Sequence, residues 1–273
     1  MSWLEAVVLG VVQGLTEFLP VSATAHLRIV SAFFGWSDPG ATFSAATRLG
    51  TTGAVLLYFR NDIATIAVAW LRSLFQPEYR GSHDARMGWY VILGTIPLVV
   101  LGFAFRQQVK DAAADLRIVA AAMIGVALVL WVADRIGPRV KDLRRLDVRE
   151  ALVLGVAQSA ALVPGVSRTG ATISAGLFLG YTRQAATRYS LLLSIPALAA
   201  SGLFELADIG KDPSATWGRT VVATVIAAVL GYAVIGWLLR YVATRDFVPF
   251  VVYRLALGLA LVILLGTGTL AAR

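Results

Sequence analysis

Apolar residues run through this chain in long blocks, and the polar residues gather in the gaps between them. Blocks at roughly 41–59, 88–105, 117–134, 184–204, 218–239 and 248–270 are each long enough to cross about 30 Å of hydrocarbon as a helix, which predicts six transmembrane crossings. Two further pairs of blocks are too short or too polar to cross comfortably. Residues 3–19 and 22–35 flank Pro20, and residues 150–163 and 167–180 flank Pro164-Gly165. Proline restricts the residue before it and removes a backbone donor, so each pair predicts a helix, a break and a second helix, a re-entrant hairpin entering the membrane from one side. The apolar block at 63–75 contains Arg72 and predicts an interfacial or partly embedded helix.

The two hairpins are copies. Glu5-Ala6-Val7-Val8-Leu9-Gly10-Val11-Val12-Gln13 returns as Glu150-Ala151-Leu152-Val153-Leu154-Gly155-Val156-Ala157-Gln158, identical at seven of nine positions. Each hairpin precedes three predicted crossings, and an odd number inverts the second half relative to the first. The chain therefore reads as one all-α integral-membrane domain with an inverted-topology repeat. Repeat one covers about 1–134, a cytoplasmic linker 135–149, and repeat two about 150–273. Hairpins entering from opposite faces bring their tips together near the midplane, where irregular backbone is tolerated if protein or water surrounds it.

Composition agrees with a multi-pass membrane protein: of 273 residues 58% are apolar and only 15% charged, too little polar surface for a soluble globule. The net charge of +8 raises the possibility of nucleic acid. The basic residues sit in short loops rather than on one face, however, so no nucleic-acid partner is expected. The densest basic cluster, Arg135, Arg139, Lys141, Arg144, Arg145 and Arg149, places the linker in the cytoplasm and both termini outside by the positive-inside rule. Glu5 stands where a cleaved leader would carry basic residues, so the N-terminal segment is expected to be retained. The absence of cysteine removes disulfides, thiolate nucleophiles and Cys-ligated metals, and His26 and His83 are too few for a histidine cage. Tryptophans 3, 36, 70, 89, 131, 217 and 237 read as interfacial belt residues.

Polar groups within membrane-buried sequence are costly and point to function. Gln13 and Glu17, four apart, share one helical face ahead of the Pro20 break, where a carboxylate can act as a base or hold a cation. Ser22 and Thr24 open the next short helix, whose free N–H groups and hydroxyls suit an anion; simple N-capping is the plain alternative. His26 can protonate a leaving oxygen, accept a proton, or be phosphorylated itself. In the second hairpin, Pro164-Gly165-Val166-Ser167-Arg168-Thr169-Gly170 sets an arginine between two hydroxyls at a helix start. A guanidinium there can clamp two phosphate oxygens while Ser167, Thr169 and Gly170 line the approach. The stretch lacks the Gly-Lys-Ser/Thr ending of a nucleotide-binding loop. Arg48 is expected to face the same cavity, with Arg188 as its mate, since Ala46-Thr47-Arg48 returns as Ala186-Thr187-Arg188.

An acid, an imidazole, an arginine and hydroxyl-bearing helix starts around a cavity open to lipid suit a lipid phosphate ester. The prenyl tail would supply affinity and the polar cluster the chemistry. A non-hydrolytic prenyl-phosphate flippase or carrier fits broken helices and an inverted repeat equally well. An enzyme acting on another prenyl diphosphate is a third reading.

At these residues the chain resembles the undecaprenyl-diphosphate phosphatase family, also called bacitracin-resistance proteins, over nearly its whole length. The resemblance rests on Gln13 to Glu17, Phe18-Leu19-Pro20-Val21-Ser22, His26, Pro164 to Gly170, Ile195-Pro196 and Tyr253-Arg254. It implies hydrolysis of the C55 prenyl diphosphate to its monophosphate and inorganic phosphate, recycling the cell-wall lipid carrier. It also implies a divalent cation (magnesium or calcium) with Glu17 as its ligand, a site opening to the outer face of the bacterial plasma membrane, and homodimers. The family usually reads Pro-Val-Ser-Ser-Thr/Ser-Gly-His where this chain has Pro20-Val21-Ser22-Ala23-Thr24-Ala25-His26. If the missing second serine is the family's nucleophile, Ala23 cannot replace it, and on a helix Ser22 would point about 100° away. Ala25 replaces a glycine, and Arg48 stands where the family has glutamine. Hydrolysis then falls to His26 or to water activated by Glu17.

Overall fold

The computed structural model describes all residues except 38, 39, 106, 110–114, 207–216, 272 and 273. Among the described residues the chain is helical, with no strand beyond one isolated bridge between Lys141 and Tyr181. The first hairpin is α1 (Trp3–Thr16) and α2 (Ala23–Phe34). It is followed by α3 (Gly40–Tyr58), α4 (Arg60–Phe75), α5 (His83–Ala104) and α6 (Leu116–Ile136). The second hairpin is α7 (Val148–Ser159) and α8 (Arg168–Phe178), and α9 (Arg183–Leu206), α10 (Trp217–Thr244) and α11 (Val248–Gly266) complete the chain.

The helix starts follow capping chemistry. Ser2 and Glu5 form a reciprocal capping box on α1, while Ser82, Asp147 and Ser167 each accept a backbone N–H at the start of α5, α7 and α8. The six predicted crossings correspond to α3, α5, α6, α9, α10 and α11. Of these, α5, α6, α10 and α11 are long and apolar enough to cross a membrane by themselves, and α3 with α4 forms a fifth candidate bent by 77°. The predicted helix at 63–75 begins earlier, at Arg60, and leaves α3 at a break where Arg60 and Asp62 make continued burial expensive. Helix α9 is long enough, yet Arg183, Gln184, Thr187, Arg188 and Ser190 crowd its first turns. It does not need an apolar surface there, because it packs inside the bundle against α3.

The outward faces of α5, α10 and α11 carry Ile92, Ile96, Val99, Phe103, Val221, Val225, Val229, Leu259 and Val262 exposed. Such stripes are stable against lipid tails rather than water. Five of the seven tryptophans, residues 3, 89, 131, 217 and 237, are also exposed.

The hairpins do not pack chiefly within their own repeats. Helix α1 lies on α10 and α7 on α5, while α6 packs on α11. The duplicated motif explains the first two crossings. A methyl group at Gly10 would stand 2.7 Å from the carbonyl oxygen of Ala223 on α10, and one at the matching Gly155 would strike the backbone of Gly94 on α5. Both hairpins therefore cross their partner helices backbone to backbone. The linker is fastened to the second hairpin by Lys141, whose Nζ lies 2.6 Å from Glu150 Oε1, and the Tyr181 hydroxyl, just beyond that hairpin, donates to Glu150 Oε2.

Candidate active site between the hairpin breaks

Three contacts bring the breaks of the two hairpins together. Arg168 Nη2 donates to Glu17 Oε1 at 2.7 Å, joining residues 151 positions apart. Ser167 Oγ reaches the carbonyl of Leu19 at 3.4 Å. Arg254 of α11 donates to the carbonyls of Pro20 and Gly165.

Glu17 closes the C-terminal end of α1, with its backbone N–H bonded to Gln13 O. Its two carboxylate oxygens have different holders: Gln13 Nε2 donates to Oε2 at 2.7 Å, and Arg168 takes Oε1. The Glu17 and Arg168 side chains keep only 11% and 14% of their exposure, so the pair is screened little by solvent. The Nε of Arg168 is buried without a hydrogen-bond partner, which leaves the guanidinium a free donor beside the carboxylate. Arg48 lies close enough to act electrostatically on Arg168, and the open Arg168 donor suits an anionic headgroup.

Arg188 does not join Arg48 there. Its Nη2 pairs with Asp62 Oδ1 at 2.7 Å and its guanidinium lies over the Phe59 ring, so it serves the α3–α4 bend.

After Pro20 the chain turns sharply. Val21 N donates to Leu19 O at 2.7 Å, and Ser22 sits at φ 76°, ψ 96°. A residue with a Cβ held there stores about 1–3 kcal/mol of backbone strain. The geometry also corrects the helical-wheel estimate for Ser22: it precedes the first helical residue, so the 100° step from position 23 does not apply. Its side chain makes no capping bond to α2 and instead meets Thr24 Oγ1 at 3.2 Å. Ser167 is the opposite case. Its Oγ accepts from Gly170 N at 3.1 Å and caps α8, so capping and the link to Leu19 occupy the hydroxyl. Thr169 is buried at 2% exposure. A Cβ at Gly170 would meet Ser167 at 3.2 Å, so the glycine leaves room for the cap.

His26 is buried with both ring nitrogens engaged. Nδ1 lies 2.7 Å from the carbonyl of Ser22, which can only accept, so Nδ1 carries a proton. Nε2 lies 2.7 Å from the hydroxyl of Tyr253, whose ring stacks on the imidazole. In the neutral ring Nε2 is the acceptor, and it is the nitrogen that can exchange a proton. Sequence reading placed Tyr253 only in a motif; its partnership with His26 spans 227 residues and has no local signal.

Among the described residues no three acidic, histidine or cysteine side chains group as cation ligands. Among the described residues Glu17 is the carboxylate this cluster offers, and Gln13 beside it is a neutral amide. These residues fit a cation only if phosphate oxygens supply most of its ligands.

The family profile described as "Bacitracin resistance protein BacA" matches residues 6–260. The chain belongs to this family. Proteins similar to it include the undecaprenyl-diphosphatase of a Nocardioides species, 53% identical over 273 residues and the full length of both chains. The undecaprenyl-diphosphatase 2 of Streptomyces avermitilis is 53% identical over 99% of this chain and 97% of its own. The undecaprenyl-diphosphatase 3 of Frankia alni is 53% identical over 100% and 98%. The BacA match takes in both hairpin breaks and the Tyr253-Arg254 pair.

Proposed function

We infer that this protein is a membrane-embedded undecaprenyl-diphosphate phosphatase, releasing inorganic phosphate and returning the monophosphate carrier lipid to cell-wall synthesis. The observation that carries the reading is the Glu17–Arg168 pair, one residue from each hairpin, with a partnerless Arg168 Nε and the Arg48 charge beside it.

In this reading Arg168 binds the terminal phosphate and stabilises the charge that grows on its oxygens during attack. Glu17 retains unused lone pairs and serves as general base toward the attacking group. His26 gives or takes a proton through Nε2, in exchange with the Tyr253 hydroxyl. Ser22 and Thr24 contact the phosphate through hydroxyls that no helix cap consumes, and Arg48 adds attraction for the headgroup. Gln13 holds Glu17 in place. A divalent cation belongs to the proposal as a companion of the diphosphate, with Glu17 as its one protein carboxylate; its role would be to neutralise phosphate charge.

Six crossings and an inverted repeat complete the proposal. Their support is the exchanged packing, α1 on α10 and α7 on α5, with glycine in the same motif position at both crossings. The basic linker is assigned to the cytoplasm by the positive-inside rule, and an opening of the site to the outer face belongs to the proposal on the strength of the family resemblance alone. A homodimer is expected, and the mass of the protein in lipid nanodiscs tests it.

The deciding experiment is phosphate release by purified protein from C55 diphosphate. Wild-type release that disappears in Glu17→Ala and Arg168→Ala supports hydrolysis, and lipid crossing a vesicle membrane without release would overturn it. A single turnover in labelled water places label in inorganic phosphate if the terminal phosphorus is hydrolysed.

A further inference from the structure

Arg254 lies on α11 and has 0% exposure. Among the described residues no carboxylate pairs with it. Its guanidinium donates only to main-chain carbonyls: Nε to Met123 at 3.1 Å, Nη1 to Pro20 at 3.1 Å, and Nη2 to Gly165 at 3.0 Å and Ala122 at 3.4 Å. Met123 and Ala122 belong to α6. Pro20 and Gly165 are the breaks of the two hairpins.

The sites are spaced symmetrically about these breaks. Glu17 precedes Pro20 by three residues, and Arg168 follows Gly165 by three. We propose that Arg254 is a positioning residue that locks the two hairpin breaks in register and so sets the approach of Arg168 to Glu17. The inference rests on the phosphatase reading only for its activity readout.

Physical chemistry explains the choice of residue. A broken helix leaves carbonyls without intrahelical donors, and inside a membrane no bulk water replaces them. Arginine offers five N–H donors in a rigid planar fork, enough to serve both breaks and α6 together. The three donors of lysine radiate from one atom and cannot reach carbonyls on three elements. Burying an unpaired charge is costly, and that cost is met here by bonds from a charged donor to the carbonyls of three segments. A merely space-filling residue at this position would not converge on both breaks.

The test compares Arg254→Lys in two backgrounds, wild type and Arg168→Lys, with kcat and KM for phosphate release measured on monodisperse protein. In wild type, Arg254→Lys is expected to lower kcat on the order of 100-fold, because small misplacement of reacting groups has effects of that size. KM should stay within about 3-fold, since the lipid tail still binds. In the Arg168→Lys background the same change should cost less than about 10-fold, because the pair it positions is already altered. An equal loss in both backgrounds would mean a general structural role and overturn the proposal.

A second readout needs no activity. The chain has no cysteine, so spin labels on cysteines introduced at exposed Leu15 and Val163 report the distance between the hairpins. Arg254→Lys should broaden that distribution, and an unchanged distribution would also overturn the proposal. Absence of phosphate release from the wild type would instead defeat the phosphatase reading and leave the label distances to decide this one. Should the lysine variant not fold, Arg254→Gln, which keeps two donors and drops the charge, supports the same comparisons.

Discussion

Ser22 holds its unusual backbone beside Ala23, where the family pattern has a second hydroxyl. Because Ser22 lies outside the helix and its Oγ is not consumed by capping, it is the hydroxyl this site has kept. Ser22→Ala is expected to lower kcat on the order of 100-fold, a typical loss for one group acting in the transition state. Ala23→Ser should change it by less than about 3-fold. Steady-state phosphate release from both variants checks the pair of expectations, and a large gain from Ala23→Ser would show that the native chain works below its capacity. Glu17 and Arg168 could be singled out from sequence because charge inside an apolar run is costly to keep, and the structure brings the two into contact. The Tyr253 contact to His26 and the Arg254 contacts to Pro20 and Gly165 were not, since each joins positions more than 200 residues apart in cases that involve the first hairpin. Arg188 misled for a related reason: a local triplet match carries no information about which partner, here Asp62, the fold supplies.

Among the helices, boundaries followed from apolar runs and capping residues to within a few positions, and both hairpin breaks fell at the prolines. The bend between α3 and α4 was less legible, because an apolar block with one arginine fits a crossing or a surface helix equally. The backbone crossings of α1 and α7 yield a sharp expectation. Gly10→Ala and Gly155→Ala should each destabilise by about 1–3 kcal/mol through overpacking. Gly125→Ala, on α6 with open space where the methyl would go, should be neutral or stabilising by up to about 1 kcal/mol. Thermal unfolding in detergent separates these outcomes. The clasp of Tyr181 on Glu150 has its own signature. Burial, with Glu150 beside it, pushes the Tyr181 hydroxyl above the ordinary tyrosine range. A raised folded-state value means the contribution is complete below about pH 10, where tyrosine titrates in an unfolded chain, and is lost as pH rises beyond it. Tyr181→Phe should therefore flatten the alkaline fall of melting temperature above about pH 10. An alkaline limb identical to wild type would count against the clasp.

At the scale of the whole molecule, each hairpin finds its closest helix in the opposite repeat. Residues 1–134 and 135–273 produced as separate chains should each fail to give a monodisperse species, since α1 lacks α10 and α7 lacks α5. Co-expression should recover some phosphate release if the halves can reassemble. Size-exclusion chromatography of each half alone checks this, and a well-behaved isolated half would contradict the exchanged packing. The duplication was readable in the nine-residue motif. Which helix each copy would embrace was not, because a glycine announces a close approach without naming its partner.

The glycine crossings bear finally on movement. A carrier that presents cargo to one side of a membrane and then the other needs a seam along which its two bodies can tilt. Here each body has an arm threaded against the other, main chain upon main chain, so no flat seam divides them. Such an interlocked frame favours a fixed crucible over a rocking gate, with the lipid headgroup, rather than the protein, doing the travelling.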